Sequence, residues 1–136
     1  MPKSAEETLI DIYDAWQTHN FDWLASYLPA DFSHSMNIPT EQFALSGLCH
    51  GKDKSLDRLR EILESYDTRQ LEVANLTIGA TSASVDVTTR CTDRASGIWL
   101  HTTKRHVWQL EDGWPVQLSE FYELLEVEEF ISALRN

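Results

Sequence analysis

Two carboxylates near the end of the chain, Glu120 and Glu123, stand three residues apart in a stretch with strand-like alternation. Their side chains then fall on opposite faces, and only one of them can look into the fold. Glu123 shares its face with Gln117, Ser119, Phe121 and Leu125, and Glu120 shares its face with Leu118, Tyr122 and Leu124. A part-buried carboxyl has its pKa raised toward the range useful for proton transfer, whereas one on a rim stays an ordinary solvated acid. A second polar line, His101, Thr103 and Arg105, alternates with Leu100, Thr102, Lys104, His106 and Trp108. On a pocket wall, Arg105 would hold an anionic group or stabilise an enolate, and His101 would exchange a proton near neutral pH. The same line would also suit a solvent-facing or dimer-facing surface.

Other candidates lie earlier in the chain. His34 and Met36 alternate with Ser33, Ser35 and Asn37, which places His34 as a possible base and Met36 beside it on one strand face. Arg90 shares a face with Asp86, so an ion pair accounts for it as well as a ligand contact does. Cys49 and His50 adjoin Gly51 in an irregular segment; neighbours in a loop seldom point together, so this stretch reads as a lid rather than a nucleophile and its base. The five histidines show no HxH or HExxH spacing, the two cysteines form no CxxC, and no GxGxxG or GxxxxGK[ST] cradle occurs. Cofactor-free, metal-free chemistry fits these residues best.

The elements that must position these groups are legible from periodicity. Ser4 and Glu7 form a capping box before Leu9, Ile12, Tyr13 and Trp16, which predicts a helix over about 5–19. Asn20 caps a second short helix bearing Trp23, Leu24 and Tyr27 and ended by Pro29. Alternation over 31–38 predicts a strand, and Leu56, Leu59, Ile62, Leu63 and Tyr66 predict a helix over 52–66. The period then turns to two, with strands at 69–78, 82–92, 97–110 and 114–125 joined by tight turns, and a last helix at 127–134. Helices first and a long meander afterwards make an α+β order. A strongly curved antiparallel sheet wrapped over the N-terminal helices would form a cone around one pocket, lined from the helix side by Tyr13, Trp16 and Tyr27.

Composition bounds the function. A chain of 136 residues suits one domain spanning 1–136. A formal charge of −11 and a pI near 4.7 repel phosphate backbones and anionic membranes, so neither nucleic acid nor membrane is an expected partner. The first residues lack the basic and apolar regions of a secretory signal, which makes the cytoplasm the expected location.

The order of elements, with Phe21-Asp22-Trp23-Leu24, Gly51, the strand His106 to Leu110 running into Asp112-Gly113, and the ending Glu120-Phe121-Tyr122-Glu123, resembles the nuclear transport factor two-like superfamily. Within it, the chain is similar to the SnoaL-like group related to ketosteroid isomerases. The resemblance implies a candidate acid–base role for Glu123, which stands where that group carries an Asp. It also implies His34 in place of the isomerases' missing Asp base, Tyr13 near their Tyr, and Arg90 near the Arg of limonene epoxide hydrolases.

The reading is therefore a cofactor-independent enzyme moving protons on a small, largely apolar organic molecule by isomerisation, cyclisation, dehydration or water addition. Glu123, His34, His101 and Arg105 are its candidate catalytic residues, and Tyr13, Trp16, Tyr27, Met36, Arg90 and Phe121 its candidate ligand contacts. The alternative is a non-catalytic small-molecule binder or assembly subunit. A homodimer is expected, because an outward-facing patch of Leu100, Trp108, Leu118 and Tyr122 would need cover.

Overall fold

The computed structural model describes residues 4–38 and 47–135. Helix α1 spans Ala5–Gln17, and its start is set by the Ser4 hydroxyl, which accepts the Glu7 N–H at 3.2 Å. Helix α2 spans Phe21–Tyr27 and is capped by the Asn20 side chain, which accepts from the Trp23 N–H. Strand β1 (Ser33–Asn37), strand β2 (Gly47–His50) and helix α3 (Lys52–Ser65) follow. Gly51 joins β2 to α3 with φ at 92°, a conformation that costs a residue with a side chain. Cys49 and His50 therefore lie in a strand, and residues 39–46 of the expected lid lie outside the described residues.

The meander is β3 (Tyr66–Ile78), β4 (Ser82–Asp93), β5 (Trp99–Glu111) and β6 (Trp114–Phe121), and helix α4 (Leu124–Arg135) closes the chain. Asp112 and Gly113, both at positive φ, make the two-residue turn whose twist matches a right-handed hairpin between β5 and β6. The sheet order is β2-β1-β6-β5-β4-β3. It curls into a half-barrel over the helices, the expected α+β cone, but it is mixed rather than wholly antiparallel. Strand β1 pairs parallel with β6, His34 opposite Leu118 and Met36 opposite Glu120. Alternation within a strand carries no sign of the direction in which a partner 80 or so residues away will run.

The core is built where α1, α2 and α3 meet the concave face. Leu9, Ile12 and Tyr13, Leu24, and Leu56, Leu59 and Leu63 pack against Val85, Val87, Trp108, Leu110 and Leu118. Trp108 is only 1 % exposed. Burying side chains of this size stabilises by about 1.5–3 kcal/mol each, and that decides which face of β5 and β6 turns inward. Toward the open end of the cone the inward positions become polar, and Val127 and Phe130 of α4 cover them.

Candidate active site

A cavity of about 80 Å³, open to solvent at its mouth, lies between the concave sheet face, α1, α3 and α4. Its walls are largely apolar: Trp16 from α1, Met36 and Ile38 from the first strand and its end, Leu59, Ile62 and Leu63 from α3, and Val127 and Phe130 from α4. Its polar groups are His34, Lys104, Glu120 and Tyr122 in one cluster, with Thr68, Thr89, Cys91 and Thr102 along the β3–β5 wall.

The cluster is organised around Glu120, which is 1 % exposed. Its Oε1 accepts from His106 Nε2 at 2.8 Å, Lys104 Nζ at 2.8 Å and the Tyr122 hydroxyl at 3.3 Å. Its Oε2 is bonded to His34 Nε2. Behind the cavity a second chain of bonds continues: Trp108 Nε1 donates to the Tyr13 hydroxyl at 3.0 Å, which pairs with His106 Nδ1 at 2.7 Å. If Tyr13 donates to Nδ1, His106 donates from Nε2 to the carboxylate, and every link has one donor and one acceptor. Regular geometry supplies the convergence. Lys104 and His106 are two apart on β5, Glu120 and Tyr122 two apart at the end of β6, and His106 faces Glu120 directly across the ladder.

Electrostatics fit this arrangement. Burial by itself would push the Glu120 carboxyl up, but the Lys104 ammonium, His106 and His34 together outweigh it and hold it well below the usual carboxylate range. Burial likewise works against the Lys104 charge, yet Glu120 and the Tyr122 oxygen raise its pKa and keep it an ammonium. Burial lowers His106 against the pull of Glu120, and Tyr13 and Tyr122 are both raised by burial, so these three are neutral at pH 7. The buried cluster thus holds one carboxylate and one ammonium in contact.

His34, His106 and Glu120 have the atom types of a metal triad, but Lys104 Nζ already sits on the carboxylate and would repel a second cation. No group of three or more His, Cys, Asp or Glu among the described residues is arranged to hold a metal ion. His34 makes its side-chain hydrogen bond to Glu120, and Nδ1 has no partner among the described residues.

The other candidates from the sequence fall into three places. His34, Met36 and Trp16 line the cavity, and Tyr13 lies buried behind it against His106 and Trp108. The expectation that His101, Thr103 and Arg105 face inward is corrected: His101 and Arg105 are exposed on the outer face, and Arg105 Nε approaches Asp86 Oδ1 at 3.4 Å. Leu100, Trp108, Leu118 and Tyr122, expected outside, turn inward because Trp108 and Leu118 complete the core. Arg90 is also outside, its guanidinium 4.1 Å above the Trp99 ring. Phe121 is exposed, and Tyr27 stacks between Trp23 and Trp114, away from the cavity.

Glu123 is exposed too. Strand β6 ends at Phe121, and Glu123 stands at the head of α4, where its Oε1 accepts the Leu125 N–H at 3.2 Å and its carbonyl accepts the Val127 N–H. The residues missed by the sequence reading, Lys104, His106, Glu120 and Tyr122, all sit on the opposite parity. The signal for them was present: a face shared with Trp108 and Leu118 is the face toward the core.

No protein-family profile and no curated protein matches the sequence. Solved structures do match the fold over nearly the whole chain. An NTF2-like protein of unknown function from Burkholderia pseudomallei K96243 is 20% identical, with a TM-score of 0.82 over 96% of this chain and 99% of that one. TerC co-crystallised with polyporic acid is 15% identical, with a TM-score of 0.81 over 94% and 98%. A protein provisionally named a polyketide cyclase from Xanthomonas campestris pv. campestris is 15% identical, with a TM-score of 0.73 over 93% and 96%.

Proposed function

The chain has the nuclear transport factor two-like fold shared by SnoaL-like proteins, and from that fold and its cavity we propose a cofactor-independent acid–base enzyme acting on a small, largely apolar organic molecule. The observation that carries this reading is the His34–Glu120 contact at the charged end of a largely apolar cavity, with Lys104 and Tyr122 beside it. Glu120 is a positioning residue. Its bond to Nε2 selects the tautomer of His34 whose Nδ1 can take a proton, and the carboxylate stabilises the imidazolium that forms. Lys104 has three N–H donors, of which Glu120 and Tyr122 take two, so one remains for an oxygen that gains negative charge. His34 then returns the proton at a neighbouring atom, which completes an isomerisation, or passes it on in a cyclisation or dehydration. The names of structural relatives, two provisionally called polyketide cyclases and others provisionally called isomerases, are in keeping with such chemistry.

Deuterium exchange at the α-carbon of 2-tetralone and other small cyclic ketones, followed by NMR, tests the reading. His34→Gln should lose at least about a hundredfold in exchange rate, the usual scale of a general base. Glu123→Gln, outside the cavity, should stay within about twofold. Equal rates for His34→Gln and the wild type, or no acceleration of any ketone, would overturn it.

The saturation of Glu120 by four hydrogen bonds favours a second reading, a non-catalytic binder of the same class of molecule. A compound recovered unchanged from the purified protein would select it. In either case a homodimer is proposed, on the apolar side chains that remain outside.

A further inference from the structure

Thr102 is 2 % exposed and lines the cavity, yet its Oγ1 has no hydrogen-bond partner among the described residues. A hydroxyl buried without a partner costs about 1–3 kcal/mol, so a native structure that keeps one has a use for it. Serving strand geometry alone, valine would fill the same volume without that cost. Thr102 lies two residues before Lys104 on the same face of β5, so the orphan hydroxyl stands about 7 Å along the wall from the charged cluster. Its cross-strand partner is Thr89, and Thr68 and Cys91 line the same wall. Burial raises the Cys91 thiol, with Lys104 opposing and Asp93 adding to the effect, so the thiol stays neutral. This end of the cavity is thus polar and uncharged: the lining residues that carry charge, Lys104 and Glu120, are paired with each other at the other end.

We propose that Thr102 is a specificity-determining residue that hydrogen-bonds a second, uncharged oxygen of the ligand, a hydroxyl or carbonyl about 7 Å from the oxygen held at Lys104. A carboxylate or phosphate at this position would be desolvated with no cation to meet it, and is selected against. The ligand is then a molecule carrying two neutral oxygen functions about 7 Å apart, its apolar body against Trp16 and Leu63. This rests on the reading that the cavity binds a small organic molecule with one oxygen at Lys104, and it deepens that reading by one recognition group.

Calorimetric titration with 2-naphthol, 2,6-dihydroxynaphthalene and 6-hydroxy-2-naphthoate tests it without measuring turnover. The wild type should bind the diol about five- to tenfold more tightly than 2-naphthol, the value of one neutral hydrogen bond. Thr102→Val should abolish that preference, and Thr102→Ser should retain it. The carboxylate should bind more weakly than the diol. Equal affinities in the wild type, a preference that survives in Thr102→Val, tighter binding of the carboxylate, or no binding of either naphthol would overturn the assignment. Because binding is the readout, a protein that shows the diol preference but exchanges no ketone proton would sink the enzyme reading and leave Thr102 in place.

Discussion

A carboxylate and an ammonium buried together answer to pH in opposite senses. Glu120 has a folded pKa well below its ordinary value, so the stability it contributes is fully present above about pH 4.5 and is lost as pH falls through the folded pKa. Lys104 has a raised folded pKa, so its share is present below its ordinary pKa and is lost only as pH rises through the higher folded one. His106, lowered by burial, adds a cost as pH falls below about 6.5, because the unfolded chain takes up a proton that the folded one refuses. Glu120→Gln strands Lys104 in the interior and should destabilise by about 3–5 kcal/mol at pH 7. The deficit relative to wild type should shrink as pH falls below about 4.5, where the carboxyl of the unfolded wild-type chain begins to be protonated. Urea midpoints between pH 3.5 and 8 read this directly, and a deficit independent of pH would mean that the charge of Glu120 is not what the cluster needs.

At the scale of the element, the end of the chain shows a strand pattern giving way to a helix. Alternation read through Leu125 keeps Glu123 in a strand, but Leu124, Val127, Phe130 and Ile131 also recur at helical spacing, and Val127, Phe130 and Ile131 are buried in α4. Helix formation from Leu124 onward buries that stripe, which an extended chain would split between two faces. Glu123 is then left at the helix head, where its carboxylate meets an otherwise unbonded N–H and the positive end of the dipole. Glu123→Ala should lower stability by about 1 kcal/mol in denaturant titration, and Glu123→Asp should keep most of that cap. No change in the midpoint for Glu123→Ala would show that the cap contributes nothing. Other elements were legible because their signals are local: the Ser4 and Asn20 caps, the Asp112-Gly113 turn and the apolar stripe of α3 each involve residues within one or two turns of one another.

For the whole molecule, turning Trp108, Leu118 and Tyr122 inward removes the patch first expected to cover a dimer interface. What remains exposed is a different apolar set, with Trp99 at 48 % on β5 and Phe121 and Leu125 at 47 % and 65 % around the β6–α4 junction. Large side chains this exposed, on a chain of net charge −11, are where a second copy would bury surface without bringing acidic groups together. Light scattering at micromolar concentration should give a mass about twice 15.6 kDa, and Trp99→Lys with Phe121→Lys should return it to 15.6 kDa. A wild-type mass of 15.6 kDa would remove the dimer. No helix among the described residues is long and apolar enough to cross a membrane.

Local periodicity alone determined the helices, the meander, their order and hence the α+β class, because each depends on neighbours along the chain. It placed His34 and Met36 together on one short strand, but it could not say which face of β5 and β6 is concave. Shifting a strand by one residue exchanges its faces completely, so His101 with Arg105 and Lys104 with His106 were equally regular alternatives. The choice was made by long-range burial: Trp108 and Leu118 enter the core with Ile12, Leu56 and Val85, and Lys104, His106, Glu120 and Tyr122 are carried inward on the same face. Once inside, those polar groups had to satisfy one another, since water could no longer do so. The Glu120 cluster joins β1, β5 and β6 with α1 behind them, across 13, 34, 104 and 122 in the sequence, a convergence that only the tertiary structure could produce.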